Sequence, residues 1–83
     1  MNIFDALGEP TRRAIITLLA KDGETCSGDI AKHFPLSAAG VSQHLRILEG
    51  AGVLRCRREG VRRLYSINRD TLLEATGWLQ ALT

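Results

Sequence analysis

The chain has few of the residues on which small enzymes, secreted domains and membrane proteins rely. It contains two cysteines, two histidines and two prolines in 83 residues. Two thiols, Cys26 and Cys56, do not make a disulfide framework, and the expectation is a cytoplasmic protein with reduced cysteines. The opening "MNIFDALGEP" carries an acid and no long apolar run, so it does not read as a signal peptide. No apolar stretch approaches the roughly 18 residues needed to span a bilayer, and no membrane partner is expected. Low-complexity segments and internal repeats are missing. So are a nucleophile–base–acid constellation and a glycine-rich loop that could cradle phosphate, and a chain this small has little room for a sizeable pocket. The expectation is therefore not an enzyme, with no cofactor.

What is present is apolar surface and unevenly placed charge. Apolar residues make up 45% of the chain. A single domain spanning 1–83 buries only about 60% of its unfolded surface, so that fraction suggests apolar surface reserved for a second chain. Net charge is only +2, yet five of the eleven basic residues fall within the nine positions from Arg55 to Arg63. For a nucleic-acid partner, distribution matters more than the sum.

The periodicity changes once along the chain. Ile3, Phe4 and Leu7 share one side of a short helix, with Asn2 as N-cap and Gly8 as stop. Pro10 suits the first turn of a second helix that runs to about Lys21 and turns Ile15, Leu18 and Leu19 inward, widened by Ile16. "KDGE" reads as a turn. Thr25 is the expected cap of a short third helix ending near His33, before Pro35. Ser37 is the expected cap of a fourth, with Val41, Leu45 and Leu48 inward at i, i+4, i+7 and Gly52 as left-handed stop. "VLRCRREGVRRLYSI" then alternates by twos around Glu59-Gly60, a β-hairpin pattern. After Ile67 helical period returns, with Leu72, Ala75, Leu79 and Leu82 on one stripe and Leu73 and Trp78 beside it. The fold class is thus mainly α with a small hairpin: four helices, two strands and a fifth helix, in a winged helix-turn-helix arrangement.

A helix that enters a major groove needs small or polar residues at its N-terminal end, because bulk there holds it off the base edges. Ser37, Ala38, Ala39 and Gly40 meet that need. With Val41, Leu45 and Leu48 inward, Ala38, Ala39, Ser42, Gln43 and Arg46 face outward. Gln43 can read adenine bidentately, Ser42 can donate or accept, and Arg46 reaches guanine or phosphate. If Glu59-Gly60 is a two-residue turn, Arg58 pairs with Val61, Arg57 with Arg62 and Cys56 with Arg63. Leu54, Tyr65 and Ile67 then face the core, and Arg55, Arg57 and Arg62 face outward. Like charges directly opposite destabilise a hairpin, so Arg57 opposite Arg62 implies an anionic partner suited to the arginine fork. The competing readings are an amphipathic surface helix and a solvated edge that uses charge against aggregation.

The segments "FDALGEPTRRAIITLL" and "GDIAKHFPLSAAGVSQHLRILEGAGVLRCRREGVRRLYSI", with the closing helix, resemble the ArsR/SmtB family of bacterial winged-helix repressors, roughly from Ile3 to Leu82. "EPTRR" and "GDIAKHF" look closest to the SdpR-like autorepressors. The resemblance implies a homodimer on an inverted-repeat double-stranded DNA operator. It makes helix 37–51 the recognition helix and 55–63 the wing, with Arg57, Arg58 and Arg62 on DNA. It also implies a dimer interface built from the first and last helices, which carry Ile3, Phe4, Leu7, Leu72, Trp78, Leu79 and Leu82. Two positions depart from the family pattern. Glu9 replaces the usual Asp before Pro, which implies a poorer cap, and Pro35 lies within the turn.

Family members switched by metal use Cys-x-Cys in the third helix or His with Asp or Glu in the last. Here Cys26 is followed by Gly28 at the second ligand position, and the last helix offers Asp70 and Glu74 without histidine. Neither His33 nor His44 completes a site, so no metal ligand is assigned and no metal or small-molecule inducer is evident. Two alternatives remain: a redox-responsive repressor using Cys26 or Cys56, and a winged-helix protein-interaction module without specific DNA binding.

Overall fold

A computed structural model describes all 83 residues. Helix α1 (Ile3–Leu7) is capped by Asn2, whose Oδ1 accepts from the Asp5 N–H at 2.9 Å. Helix α2 (Pro10–Asp22) starts on Pro10 and ends at Gly23, which has a φ of 77°. Its cap is better than its length suggests, since the Glu9 carboxylate reaches back to accept from the Arg12 N–H at 3.0 Å. The Glu9 carboxyl is held below its ordinary range, first by the Thr11 N–H and further by the Arg12 N–H and nearby His44, against an opposing push from burial.

The third helix differs from expectation. Thr25 does not cap it. Thr25–Cys26 forms a short strand, β1, and the Thr25 hydroxyl turns back to donate to the Gly23 carbonyl at 2.9 Å. Helix α3 (Ser27–Ala31) follows, with Cys26 at its N-cap and no side-chain cap bond. Successive i to i+3 bonds into Lys32, His33 and Phe34 then tighten the chain ahead of Pro35. Helix α4 (Ala38–Gly50) starts where expected, with the Ser37 Oγ accepting from the Gly40 N–H at 3.0 Å. It ends in a Schellman arrangement: the Val53 N–H reaches the Leu48 carbonyl and the Gly52 N–H the Glu49 carbonyl, both at 2.9 Å. Gly52 carries the left-handed φ of 80° that this end requires.

Strands β2 (Leu54–Glu59) and β3 (Arg62–Ile67) form the hairpin, and β1 pairs on the far side of β3, giving the order β1-β3-β2. The turn is Gly60-Val61, one residue later than expected. Glu59 pairs with Arg62, Arg58 with Arg63, Arg57 with Leu64 and Cys56 with Tyr65. The reason lies in φ. A turn centred on Glu59-Gly60 would ask Glu59 for a positive φ, whereas a Gly-first turn asks it only of glycine, and Gly60 sits at 62°. The partner of each β2 residue moves by two positions, so the faces survive although the pairs do not. Leu54, Cys56, Tyr65 and Ile67 face the helices, and Arg55, Arg57 and Arg62 face away.

Helix α5 (Arg69–Ala81) completes the chain and packs only sparsely on the other elements. The core is a ten-residue cluster contributed by α1, α2, α3, α4, the α4–β2 junction and the sheet, with α5 outside it. The radius of gyration, 12.8 Å, exceeds the roughly 11.8 Å expected of a compact chain this long, and the longest dimension is 42 Å against 24 and 23 Å.

One charged side chain is buried with the core. Arg12, 8% exposed, lies on the inward stripe of α2 with Ile15 and Leu19. Its Nε donates to the Ala6 carbonyl at 2.7 Å and its Nη2 to the Asp5 carbonyl at 3.1 Å, satisfying the C-terminal end of α1. Its Nη1 lies 3.4 Å from His44 Nδ1 on α4. Glu9 is 3.8 Å from the same nitrogen. Arg12→Met is expected to lower stability by about 2–3 kcal/mol in urea unfolding, because it leaves the Ala6 carbonyl, bonded in a buried position, without its donor and removes the second donor to the Asp5 carbonyl. Arg12→Lys should recover less than half of that, since an ammonium does not reproduce the planar fork.

Candidate nucleic-acid interface

The exposed face of α4 is built by its cap and its stripe. Ser37 fixes the first turn, and burial of Val41, Leu45 and Leu48 turns Ala38, Ala39, Gln43 and Arg46 to solvent, with Ser42 half-buried. These residues divide between two flanks. Ala39, Gln43, Ile47 and Gly50 line an open surface that continues to Met1. Ser42 faces the wing. Arg46 borders both.

The wing arginines fall into two groups by partner. Arg57 is committed. Its Nε and Nη2 donate to the two carboxylate oxygens of Glu24 at 2.8 and 2.7 Å, reaching across β3 over Leu64, and Nη1 lies 3.4 Å from Glu59. This bidentate bond holds the Glu24 carboxyl below its ordinary range. Arg62 lies 3.8 Å from Glu59, and Arg55 lies near Asn68 and Asp70. Arg58 and Arg63, by contrast, stand directly opposite each other, and neither has a carboxylate within 4.0 Å. Arg46 has none either. The like-charge argument thus moves from Arg57 and Arg62 to Arg58 and Arg63.

The expected dimer residues separate by depth. Ile3 and Leu72 pack against the core and Leu7 is half-buried. Phe4, Trp78, Leu79 and Leu82 are 46, 55, 51 and 65% exposed. The Phe4 and Trp78 rings sit 5.3 Å apart at a 58° tilt, joining α1 and α5 into one apolar face.

Cys26 and Cys56 are both free and half-buried. They stand on opposite edges of β3 and point to opposite faces. Two strand spacings, about 9.5 Å, exceed the roughly 7 Å limit between Cα atoms for a disulfide, so an intrachain bridge requires the sheet to rearrange. No group of three or more His, Cys, Asp or Glu side chains comes together to hold a metal, and no helix is long and apolar enough to cross a membrane.

A capped helix with a small, exposed N-terminal end beside an arginine-bearing hairpin is the layout of a winged helix-turn-helix. Residues 9–55 match the family described as bacterial regulatory protein, arsR family. The chain belongs to the ArsR family. It is 42% identical to the transcriptional repressor SdpR of Bacillus subtilis strain 168, over 94% of this chain and 86% of that protein. It is 36% identical to the HTH-type transcriptional regulator Rv2034 of Mycobacterium tuberculosis, over 96% of this chain and 78% of that one. A crystal structure of a possible transcriptional regulator for arsenical resistance superposes with a TM-score of 0.89 at 33% identity, covering 99% of this chain and 84% of that one. The ArsR-family chain is therefore a transcriptional regulator of the winged helix-turn-helix type, and its relatives are regulators rather than enzymes.

Two functional residues escaped the sequence reading. Arg12 occupies the 12, 15, 19 spacing of the α2 stripe, and an arginine on an apolar stripe is a signal for a buried, partnered cation. Glu24 carries no signal, because its partner is 33 positions away on another strand. Glu24→Gln is expected to loosen the wing. The sign follows from the lowered carboxyl: its contribution is complete above the unfolded value near 4.5 and fades as pH falls through the lower folded value. The wild-type advantage over Glu24→Gln in thermal unfolding should therefore be largest near neutral pH and shrink below about pH 4.5, read by circular dichroism melts.

Proposed function

We propose that this ArsR-family protein is a cytoplasmic homodimeric repressor that binds an inverted-repeat operator and blocks transcription sterically. One observation carries the reading. The exposed face of α4, from Ala38 to Arg46, lies beside wing arginines that have no carboxylate partner within the chain. Two copies of α4 related by a twofold axis would enter successive major grooves about 34–36 Å apart. Ser37, Ala38 and Ala39 allow the close approach, and Gln43, with Arg46, reads base edges. Arg58 and Arg62 hold phosphate, while Arg57 tethers the wing through Glu24. The apolar face of Phe4, Trp78, Leu79 and Leu82 supplies the twofold contact, and chain 1–83 acts as a single domain with dimerisation helices at both ends. No inducer is assigned.

The test is selection of bound fragments from random and genomic DNA, repeated with metals, oxidant and reductant. An enriched inverted repeat supports the reading. Binding without sequence preference would favour the protein-interaction module, and loss of binding on oxidation alone would favour the redox-responsive alternative. Gln43→Ala is expected to narrow the ratio between selected and random DNA by about tenfold, within the 1–3 kcal/mol of a bidentate base contact. Equal losses on both DNAs would remove Gln43 from base reading. Trp78→Ala is expected to weaken self-association in sedimentation velocity, and an unchanged dimer at low concentration would assign Trp78 to the monomer.

A further inference from the structure

Between α4 and the wing lies a cleft of about 540 Å³ lined by Ser27, Ser42, Arg46, Val61, Arg63 and Tyr65. Its lining contains no carboxylate. Two of the six residues are arginines that lack an acid partner, and three carry hydroxyls. Its wall is set by the register of the hairpin. Pairing of Arg58 with Arg63 puts both on the face that also carries Tyr65, toward the helices. Tyr65 is 2% exposed. Burial raises its hydroxyl pKa, Cys56 adds to the rise, and Arg63, two residues away on the same face of β3 and on the same cleft lining, pulls against it.

The geometry of a duplex supplies the occupant. When a recognition helix lies in the major groove and a wing reaches toward the adjacent minor groove, the sugar–phosphate ridge that separates the grooves runs between them. We propose that this cleft receives one backbone phosphodiester of the operator, with Arg63 as its anchor from the wing and Arg46 and Ser42 as its partners from α4. The inference rests on the proposed DNA binding and deepens it. Arg63 becomes a DNA-contact residue, and Ser42 and Arg46 move from base reading to phosphate holding, which leaves base reading to Gln43. It also accounts for the cross-strand repulsion between Arg58 and Arg63: the anion that relieves it is DNA.

The test uses the full-length dimer and a duplex selected from a random library, with single methylphosphonate substitutions scanned along each strand. In the wild type, one position per half-site should cost about tenfold in affinity, the scale of a charge-assisted hydrogen bond. In Arg63→Gln that same position should cost nothing further, and the salt slope should be shallower by about 0.9 for each cleft engaged. Arg69→Gln, outside the cleft, should leave the scan unchanged. Arg63→Gln should also unfold at slightly higher denaturant without DNA, because it relieves the repulsion from Arg58; weaker binding from a more stable protein is not misfolding. A wild type that binds the duplex specifically, with every methylphosphonate position as costly in Arg63→Gln as before, would overturn the cleft and leave the operator reading intact. Saturable binding of inorganic phosphate lost in Arg63→Gln, with no coupled backbone position, would make the occupant a free anion and also overturn it. No specific duplex emerging at all would sink both.

Discussion

The guanidinium of Arg12 holds the regulator together at the point where its two surfaces meet. One side of the fork closes the last turn of α1, which helps present the apolar face, and the other reaches His44 on α4, which presents the reading surface. A five-residue helix has too few turns to hold itself, so α1 depends on this clamp and on Ala6, which is wholly buried. At the α2 entrance it is the backbone N–H of the same residue that Glu9 caps, and the Glu9 carboxylate also faces His44. Burying a charge is costly unless it is fully partnered, and Arg12 meets that condition with two carbonyls and an imidazole.

Charge in the wing is divided between holding the protein and holding its partner. Arg57, tied to Glu24 across the whole sheet, fixes the hairpin against the body of the chain. Arg58 and Arg63 face each other without a carboxylate, and in the proposed complex a backbone phosphate would relieve that repulsion. This division is invisible in a count of basic residues, since all five arginines look alike as a run. It is decided by one turn, Gly60-Val61, which sets who faces whom.

The sequence made the caps of α4 readable because Ser37 and Gly52 perform local chemistry that needs no tertiary partner. The hairpin faces were readable as well, since an error of two positions in pairing preserves the period of a strand. The pairs themselves were not, because the turn had to be chosen between Glu59-Gly60 and Gly60-Val61 and only φ decides between them. Strand β1 was not legible either: two residues carry no period, and Thr25 suits a cap as well as a strand. The stripe on α5 was legible as apolar, while its division into Ala75 buried and Leu79 and Leu82 exposed depends on how far the helix extends past the core. The cleft proposed for phosphate was half legible. Arg46 and Ser42 were on the reading face, and Arg63 lay in the arginine run but was paired with the wrong residue.

The sparse seating of α5 has a thermodynamic consequence. Its first half, near Leu72 and Ala75, is held by the rest of the same chain; beyond it Trp78 leans on Phe4, while Leu79 and Leu82 are exposed. If a second copy covers the outer half, the order of that helix becomes a matter of mass action, with a free energy that grows with the logarithm of protein concentration. The regulator's folding and its abundance are then coupled: at low copy number the last helix frays and the twofold geometry is lost, and at higher copy number order and operator competence arrive together. With such a second copy, a chain of this size would gain a threshold in its own concentration.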